Sequence, residues 1–272
     1  IMYYSYDKII SMTLDISNYE FPQETMNIIS DLKKQLCIIH KSEPFKITKI
    51  NKQQDYCGTI CVLLNKLSEK NYNKLKIELF ELVSNIQTDK DIDIITNKIF
   101  HIASSNIHLS TLFSSLYKEL IEKNNKFYFI FQDNFIKHSK SLSEIKYINP
   151  NEDYDGYCNY VKKIDQLKSG LSFFTNLMKY NICSLDNIVE LCKELLNNLL
   201  IEMNHKNNME YKEELLQSIF IIIKEVLDYL LFHKEWECIY HTIMNLQTHP
   251  NINHKLKFKC MDILDFVKNH TR

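Results

Sequence analysis

The run LDNIVELCKELLNNL, residues 185–199, sets Leu185, Ile188, Val189, Cys192, Leu195, Leu196 and Leu199 at steps of three and one. That spacing puts all seven on one side of a 3.6-residue turn, so the run is an amphipathic helix with one face to bury. The same period continues in both directions. Upstream it covers 56–67, 72–83, 91–103, 109–121, 127–138 and 157–180; downstream it covers 211–231, 236–246 and 253–268. Most of these stretches are parted by short polar breaks such as 68–71, 104–108 and 247–250. Links this short make consecutive helices double back. The chain therefore reads as all-α, an α-solenoid of about five antiparallel helix hairpins, each unable to bury its apolar face without the next. Ser68, Ser184 and Asn251 are the expected N-caps of the helices that follow them. The stretch 211–231 is apolar nearly all round and is expected between neighbours, not at an edge.

Composition agrees and excludes much else. Of 272 residues, 45% are hydrophobic and 25% charged, with 33 Lys plus Arg against 34 Asp plus Glu. That suffices for a packed core and excludes disorder for most of the length. Only Gly58, Gly156 and Gly170 are glycines, and the nearest two stand 14 positions apart. Phosphate-cradling loops, dinucleotide fingerprints and the G-x-S-x-G elbow each need paired glycines, so none of these sites exists here. Four prolines and three glycines also leave little material for tight hairpins, which argues against sandwiches and barrels.

The eight cysteines, several on apolar helical faces, are expected as reduced, buried thiols, which favours the cytoplasm or nucleus. The longest apolar stretch, 219–231, is broken by Lys224, Glu225 and Asp228, so no membrane span is expected. The start lacks a basic region followed by an apolar run, so no secretory signal is read. An opening Ile1 is expected of a piece cut from a longer protein. All but one of the 33 basic residues are Lys, Arg272 being the exception, and Asn makes up a tenth of the chain. This looks like the coding bias of an AT-rich genome. It removes the forked guanidinium that grips phosphate in two contacts, so any nucleic-acid contact relies on Lys point charges.

Two segments break the helical period. Residues 139–160 carry Pro150, Gly156 and an acidic run and read as a longer loop inside the third pair. Residues 1–50 hold weaker helical candidates at 4–14 and 24–40, parted by Phe21-Pro22, and then an extended Pro44-Phe45-Lys46-Ile47. This part reads as an N-terminal arm, with 51–272 as the repeat body.

Patterns that carry chemistry are few. Asn151-Glu152-Asp153-Tyr154-Asp155-Gly156 fits the first six positions of a calcium loop except the first, but Lys162 stands where a bidentate Glu closes the cage. Asp89, Asp91 and Asp93 alternate similarly, with Ile94 and Phe100 at the turn and closing positions. His233, Cys238 and His241 lie within three turns, and Cys57 and Cys61 one turn apart, without the second close pair that structural zinc needs. Glu235/Glu237 and Asp262/Asp265 have the spacing of solvated faces, and no thiol or hydroxyl stands by motif beside a base. No enzyme, cofactor or metal centre is expected. Two basic clusters remain, Lys162, Lys163 and Lys168 early in the helix 157–180, and Lys255, Lys257 and Lys259 in the last. Without Arg or exposed aromatic pairs, such patches bind phosphate weakly and with strong salt dependence.

Four ordered blocks resemble a known family. Leu64-Asn65-Lys66-Leu67-Ser68, with Tyr72 following, resembles the L-N-K-L-[ST] signature that opens the middle domain of eukaryotic translation initiation factor 4 gamma. Ile99-Phe100, Ala103 and Ser110 resemble its second repeat, I-F-x-x-A-x-x-E-P-x-[FW]-S, with Asn106 and Ile107 in place of Glu-Pro. Phe173-Phe174-x-x-Leu177-x-Lys179 is similar to F-I-G-x-L-[FY]-[KR]. Lys255-Leu256-Lys257-Phe258, Asp262-Ile263 and Asp265 are similar to R-I-[RK]-F-x-x-x-D-[VI]-x-[DE]. The resemblance implies five HEAT-like hairpins in a crescent, agreeing with the helix count above.

In the arm, Tyr4-Ser-Tyr6-Asp7-Lys8-Ile9-Ile10 resembles the Y-x-x-x-x-L-Φ helix by which that factor grips the cap-binding initiation factor, with Ile9 replacing Leu. Phe45 is similar to the family's Trp in a short extended segment that anchors a DEAD-box RNA helicase of the initiation factor 4 alpha type. The resemblance thus implies a cytoplasmic, non-enzymatic translation scaffold, monomeric on its own. Tyr4, Ile9 and Ile10 would hold the cap-binding factor, and Phe45 and Lys179 the helicase. RNA would be bound weakly by Lys162, Lys163, Lys168, Lys255, Lys257 and Lys259. Departures stand beside it. The family's Arg run falls on Ile164, Asp165 and Gln166, and Val267 and Lys268 stand where an Arg-and-Trp tail continues. A reduced, divergent homologue from a parasite or virus is implied. The alternatives are a nuclear cap-binding, mRNA-decay or splicing scaffold of the same fold, and an RNA-binding module without a helicase partner.

Overall fold

The computed structural model describes residues 21–35, 56–86, 88–142, 145–205 and 208–271. Among the described residues there are eleven α-helices and no strand. Backbone contacts separate Ile1–Gln53 from Gln54–Arg272, three residues beyond the expected arm boundary. In the first unit α1, Gln23–Gln35, leaves Met26, Ile28 and Leu32 exposed. The expected helix 4–14 and the extended stretch around Phe45 lie outside the described residues, as does the end of the candidate 24–40.

The second unit holds the ten helices that the apolar period predicts: α2 (Tyr56–Asn65), α3 (Tyr72–Ser84), α4 (Asp89–Ser104), α5 (Ser110–Lys123), α6 (Lys126–Leu142), α7 (Tyr154–Lys179), α8 (Leu185–Met203), α9 (Met209–Leu230), α10 (Trp236–Leu246) and α11 (His254–His270). They pair in sequence order as five hairpins. Helices α2, α4, α6, α8 and α10 touch in succession as one layer, and α5, α7, α9 and α11 as a second. Helix α3 joins the second layer through Tyr72 and Lys76, whose polar ends lie 3.1 and 3.0 Å from Glu119 of α5. This is the expected HEAT-like solenoid.

Its core follows from the periodicity. In α8, Ile188, Val189, Cys192, Leu195, Leu196 and Leu199 are all buried, each aliphatic side chain contributing about 1.5–3 kcal/mol. Helix α9 packs on α7, α8 and α11, as a helix apolar on nearly every side must. Its ladder is broken at Val226, which is non-helical at φ −130°, ψ 20°. Hairpins two and three are joined by Phe100, Tyr117, Phe127 and Phe173, whose successive ring pairs stand edge to face at 5.6 to 5.9 Å. The buried Tyr117 hydroxyl donates to the Phe127 carbonyl at 2.9 Å, so no polar group is stranded there. Small residues let α5 and α7 meet closely, and Asn176 Nδ2 donates to Ser110 Oγ at 3.2 Å.

Helix ends depart from expectation in particular places. Ser184 caps α8 as predicted, accepting from the Asn187 N–H at 3.1 Å. Ser68 does not cap α3; that place belongs to Asn71, whose side chain instead accepts from the Ser68 N–H at 2.7 Å and donates to the Lys66 carbonyl at 2.7 Å. Asn251 is likewise not the cap of α11. Asn253 is, accepting from the Leu256 N–H at 2.7 Å, while Asn251 reaches the Met203 carbonyl at 3.0 Å and ties the fifth hairpin to the end of α8. The loop read at 139–160 shrinks at both ends because Leu142 is buried and Asp153 starts α7, accepting from the Gly156 N–H at 2.9 Å. The half-match to a calcium loop is thus a helix N-terminus.

Candidate functional site

Helix α9 lies between α7 and α11 and packs on both, so it brings the two basic clusters into one layer. It also brings acid. Lys168 pairs with Glu214 and Lys255 with Glu213. Lys168 further donates to Gln217 Oε1 at 3.4 Å, and Lys259 lies 3.5 Å from the Glu213 carbonyl. The Glu213 carboxylate, by hydrogen bonding, holds the Lys255 ammonium above the usual lysine value. One turn earlier, Glu210 accepts from the Tyr157 hydroxyl at 2.7 Å and thereby pushes that phenol up to about 12. Of the six lysines, Lys162, Lys163 and Lys257 are exposed and form no ion pair with a described residue. Lys179, at the end of α7, donates to Glu225 Oε2 at 2.8 Å and Asn176 Oδ1 at 3.1 Å, so an acid from α9 offsets its charge too. Tyr4, Ile9, Ile10 and Phe45 lie outside the described residues.

The sequence did not disclose a groove of about 700 Å³ between α6, the turn from α7 to α8 and the end of α9. Phe131, Met178 and Cys183 are buried at its floor, and Phe135, Ile182 and Tyr229 stand around it. Asn181, left-handed at φ 59°, closes α7. Its N–H donates to the Met178 carbonyl at 2.9 Å, and the Ile182 N–H to Leu177 at 3.1 Å, the double closure of a Schellman turn. The signal for this turn was an Asn just past a basic helix end. Burial pushes the Cys183 thiol up to about 12 and Cys260 up to about 11, so neither supplies a thiolate near neutrality.

Of the set His233, Cys238 and His241, His233 is engaged elsewhere. Its Nδ1 accepts from the Glu235 N–H at 3.2 Å, which leaves the ring proton on Nε2, 2.9 Å from Asp186 Oδ1 in the first turn of α8. This hydrogen bond holds the Asp186 carboxyl below its ordinary value. Lys212 is another polar group the period could not reveal. It is enclosed within α9, and its ammonium donates to the His205 carbonyl at 2.5 Å, just beyond the C-terminal end of α8, where a cation complements the helix dipole. Burial pulls its pKa down while Glu202 opposes. Among the described residues no three His, Cys, Asp or Glu are grouped to hold a metal ion, and no helix is long and apolar enough to cross a membrane.

These features define an all-α protein of five stacked helix hairpins that presents a lysine-and-glutamate layer and a separate apolar groove. Among solved structures, the chain is similar to the MIF4G domain of Trypanosoma cruzi translation initiation factor EIF4G5, with a TM-score of 0.47 and 14% identity over 79% of this chain and 96% of that one. No family model and no curated protein matches the sequence.

Proposed function

We propose that this chain is a non-enzymatic scaffold of translation initiation that binds and stimulates a DEAD-box RNA helicase, and that its arm binds the cap-binding initiation factor. The observation that supports this most is where the motif residues fall. Leu64 and Leu67 lie in hairpin one, Ile99, Phe100, Ala103 and Ser110 in hairpin two, Phe173, Phe174 and Leu177 in hairpin three, and Leu256 and Ile263 in hairpin five, all buried. The four blocks are therefore spread along the stack in the order that the resemblance requires, each building the core of its own hairpin. Stacked pairs of this kind form an extended, rigid surface able to hold two lobes of a partner in fixed relation. The helicase would be held near its closed state, a population shift and not a chemical step.

Within this reading Phe45 anchors one helicase lobe. Lys179 meets an acidic group that competes with Glu225. Tyr4, Ile9 and Ile10 form the apolar side of a short helix that docks in a groove of the cap-binding factor. RNA contact falls to Lys162, Lys163 and Lys257, with Lys168, Lys255 and Lys259 partly neutralised by α9, and is weak. The scaffold acts in the cytoplasm as a monomer. Calorimetry of the chain with the cap-binding initiation factor tests the arm: Tyr4→Ala with Ile9→Ala is expected to cost about 2 kcal/mol or more of binding free energy, as anchor residues do. Equal affinity in the double variant rejects the arm's role.

A further inference from the structure

We infer that Tyr147, Tyr157, Tyr160 and Tyr211, together with the Glu210 carboxylate, form a cage for an alkylated ammonium, the side chain of a methylated lysine in a basic peptide. The inference does not rest on the initiation-scaffold reading. The loop ahead of α7 supplies Tyr147, the first two turns of α7 supply Tyr157 and Tyr160, and the first turn of α9 supplies Glu210 and Tyr211. Tyr160 is the hub. Tyr147 stands nearly upright against it, with ring centres 5.5 Å apart at 81°; Tyr211 meets it at 6.3 Å and 71°, and Tyr157 at 6.0 Å and 35°. Tyr160 and Tyr211 are 3% and 5% exposed, whereas Tyr147, Tyr157 and Glu210 are half-buried and reach the surface. Rings that meet at steep angles make a corner whose electron-rich faces attract a cation.

Two further observations select the occupant. The Tyr160 hydroxyl is enclosed and has no hydrogen-bond partner among the described residues, where a buried polar group needs one. Burial first, and then the carboxylates of Glu210 and Glu214, hold that phenol above its usual value, so both acids stand near its hydroxyl. Glu214 is paired with Lys168, which leaves Glu210, bonded to the Tyr157 hydroxyl at 2.7 Å, as the open charge of the corner. Its sign repels phosphate. A metal ion would need three or more grouped donors, and the described residues offer no such group. A bare ammonium holds its water strongly, and one carboxylate with one hydroxyl does not replace that shell. A methylated ammonium lays its methyl groups on the rings and, in the mono- or dimethyl form, keeps an N–H for the Tyr160 oxygen to accept. Around the start of α7, Glu152, Asp153 and Asp155 are exposed, against Lys146 beside Tyr147. This excess of acid favours a peptide with further basic residues over a free amine of single charge.

Fluorescence anisotropy tests this, with the chain titrated into labelled lysine-rich peptides that differ only at a central position: lysine, monomethyl-, dimethyl- or trimethyl-lysine, or norleucine. The dimethyl peptide is expected to bind about tenfold tighter than the lysine and norleucine peptides. That margin should vanish with Tyr147→Ala and with Glu210→Gln, and persist with Glu69→Gln, an exposed residue in the turn from α2 to α3. Thermal unfolding of each variant separates loss of the cage from loss of the fold, and Glu210→Gln, which keeps the shape of the side chain, decides the matter if Tyr147→Ala does not fold. Equal affinity for the lysine and dimethyl peptides overturns the inference, since a merely acidic surface does not sense methyl groups. So does an unchanged margin in the folded cage variants. Choline that displaces the labelled dimethyl peptide as readily as its unlabelled copy does overturns the choice of a peptide as the source of the ammonium.

Discussion

The imidazole of His138 on α6 fills the space left on α7 by the missing side chain of Gly170. A Cβ built on Gly170 would fall well inside contact distance of His138 Nε2. Phe174 stands edge to face against the ring at 4.9 Å and 87°, so movement of the imidazole away from Gly170 gives up that contact. Gly170→Ala is therefore expected to destabilise the fold by about 1–3 kcal/mol, the usual cost of overpacking, despite the better helix propensity of alanine. Denaturant unfolding measures this. A double-mutant cycle with His138→Ala should show strong non-additivity, since the smaller residue removes the clash.

The same burial lowers the His138 pKa from 6.5 to about 4, against a smaller opposing effect of the Gln166 backbone. The unfolded chain then takes up a proton that the folded chain refuses. Stability should fall as pH drops from about 6.5 to about 4 and level off below, by up to roughly 3 kcal/mol from this group. Urea unfolding across that range in the native chain and in His138→Leu checks the sign, since the variant should lose this part of the slope.

Helix caps offer a sharper contrast. Ser184→Ala and Asn253→Ala each remove a bond to the first turn of a helix and should cost about 1 kcal/mol. Ser68→Ala removes only a hydroxyl and leaves the backbone N–H that Asn71 holds, so it should change stability by less than about 0.5 kcal/mol.

In the second layer the six lysines should divide by role. Reversing Lys162, Lys163 and Lys257 to Glu is expected to abolish what RNA binding there is and to flatten its dependence on salt by about one unit of log-log slope for each phosphate that is no longer neutralised. Lys168→Ala should instead lower stability, since the Lys168–Glu214 pair is largely enclosed, with side chains 13% and 23% exposed, and its removal leaves a half-buried carboxylate unpaired. Filter binding of oligouridine over a salt series separates the two groups.

The residues explain why some of this was legible and some was not. Leu185 to Leu199 repeats at a helical period because one face must be buried, and that local rule carried the number, order and pairing of the hairpins. The cap of α3 was misplaced because Ser68 and Asn71 are both competent and lie three residues apart; only the side chain's bond back to the Ser68 N–H distinguishes them. Lys168 and Lys255 looked like free charge because their partners, Glu214 and Glu213, lie more than forty residues away in sequence and arrive only when α9 is packed between α7 and α11. The groove has no sequence signature of its own, since α6, a turn and the end of α9 each supply a fraction of its lining.

The steady-state ATPase rate of a DEAD-box helicase of the initiation factor 4 alpha type, measured with RNA at saturating ATP while the purified chain is titrated in, bears most directly on the scaffold. A saturable rise in kcat that Phe45→Ala reduces is the expected result. A rate unchanged at chain concentrations well above that of the helicase contradicts it.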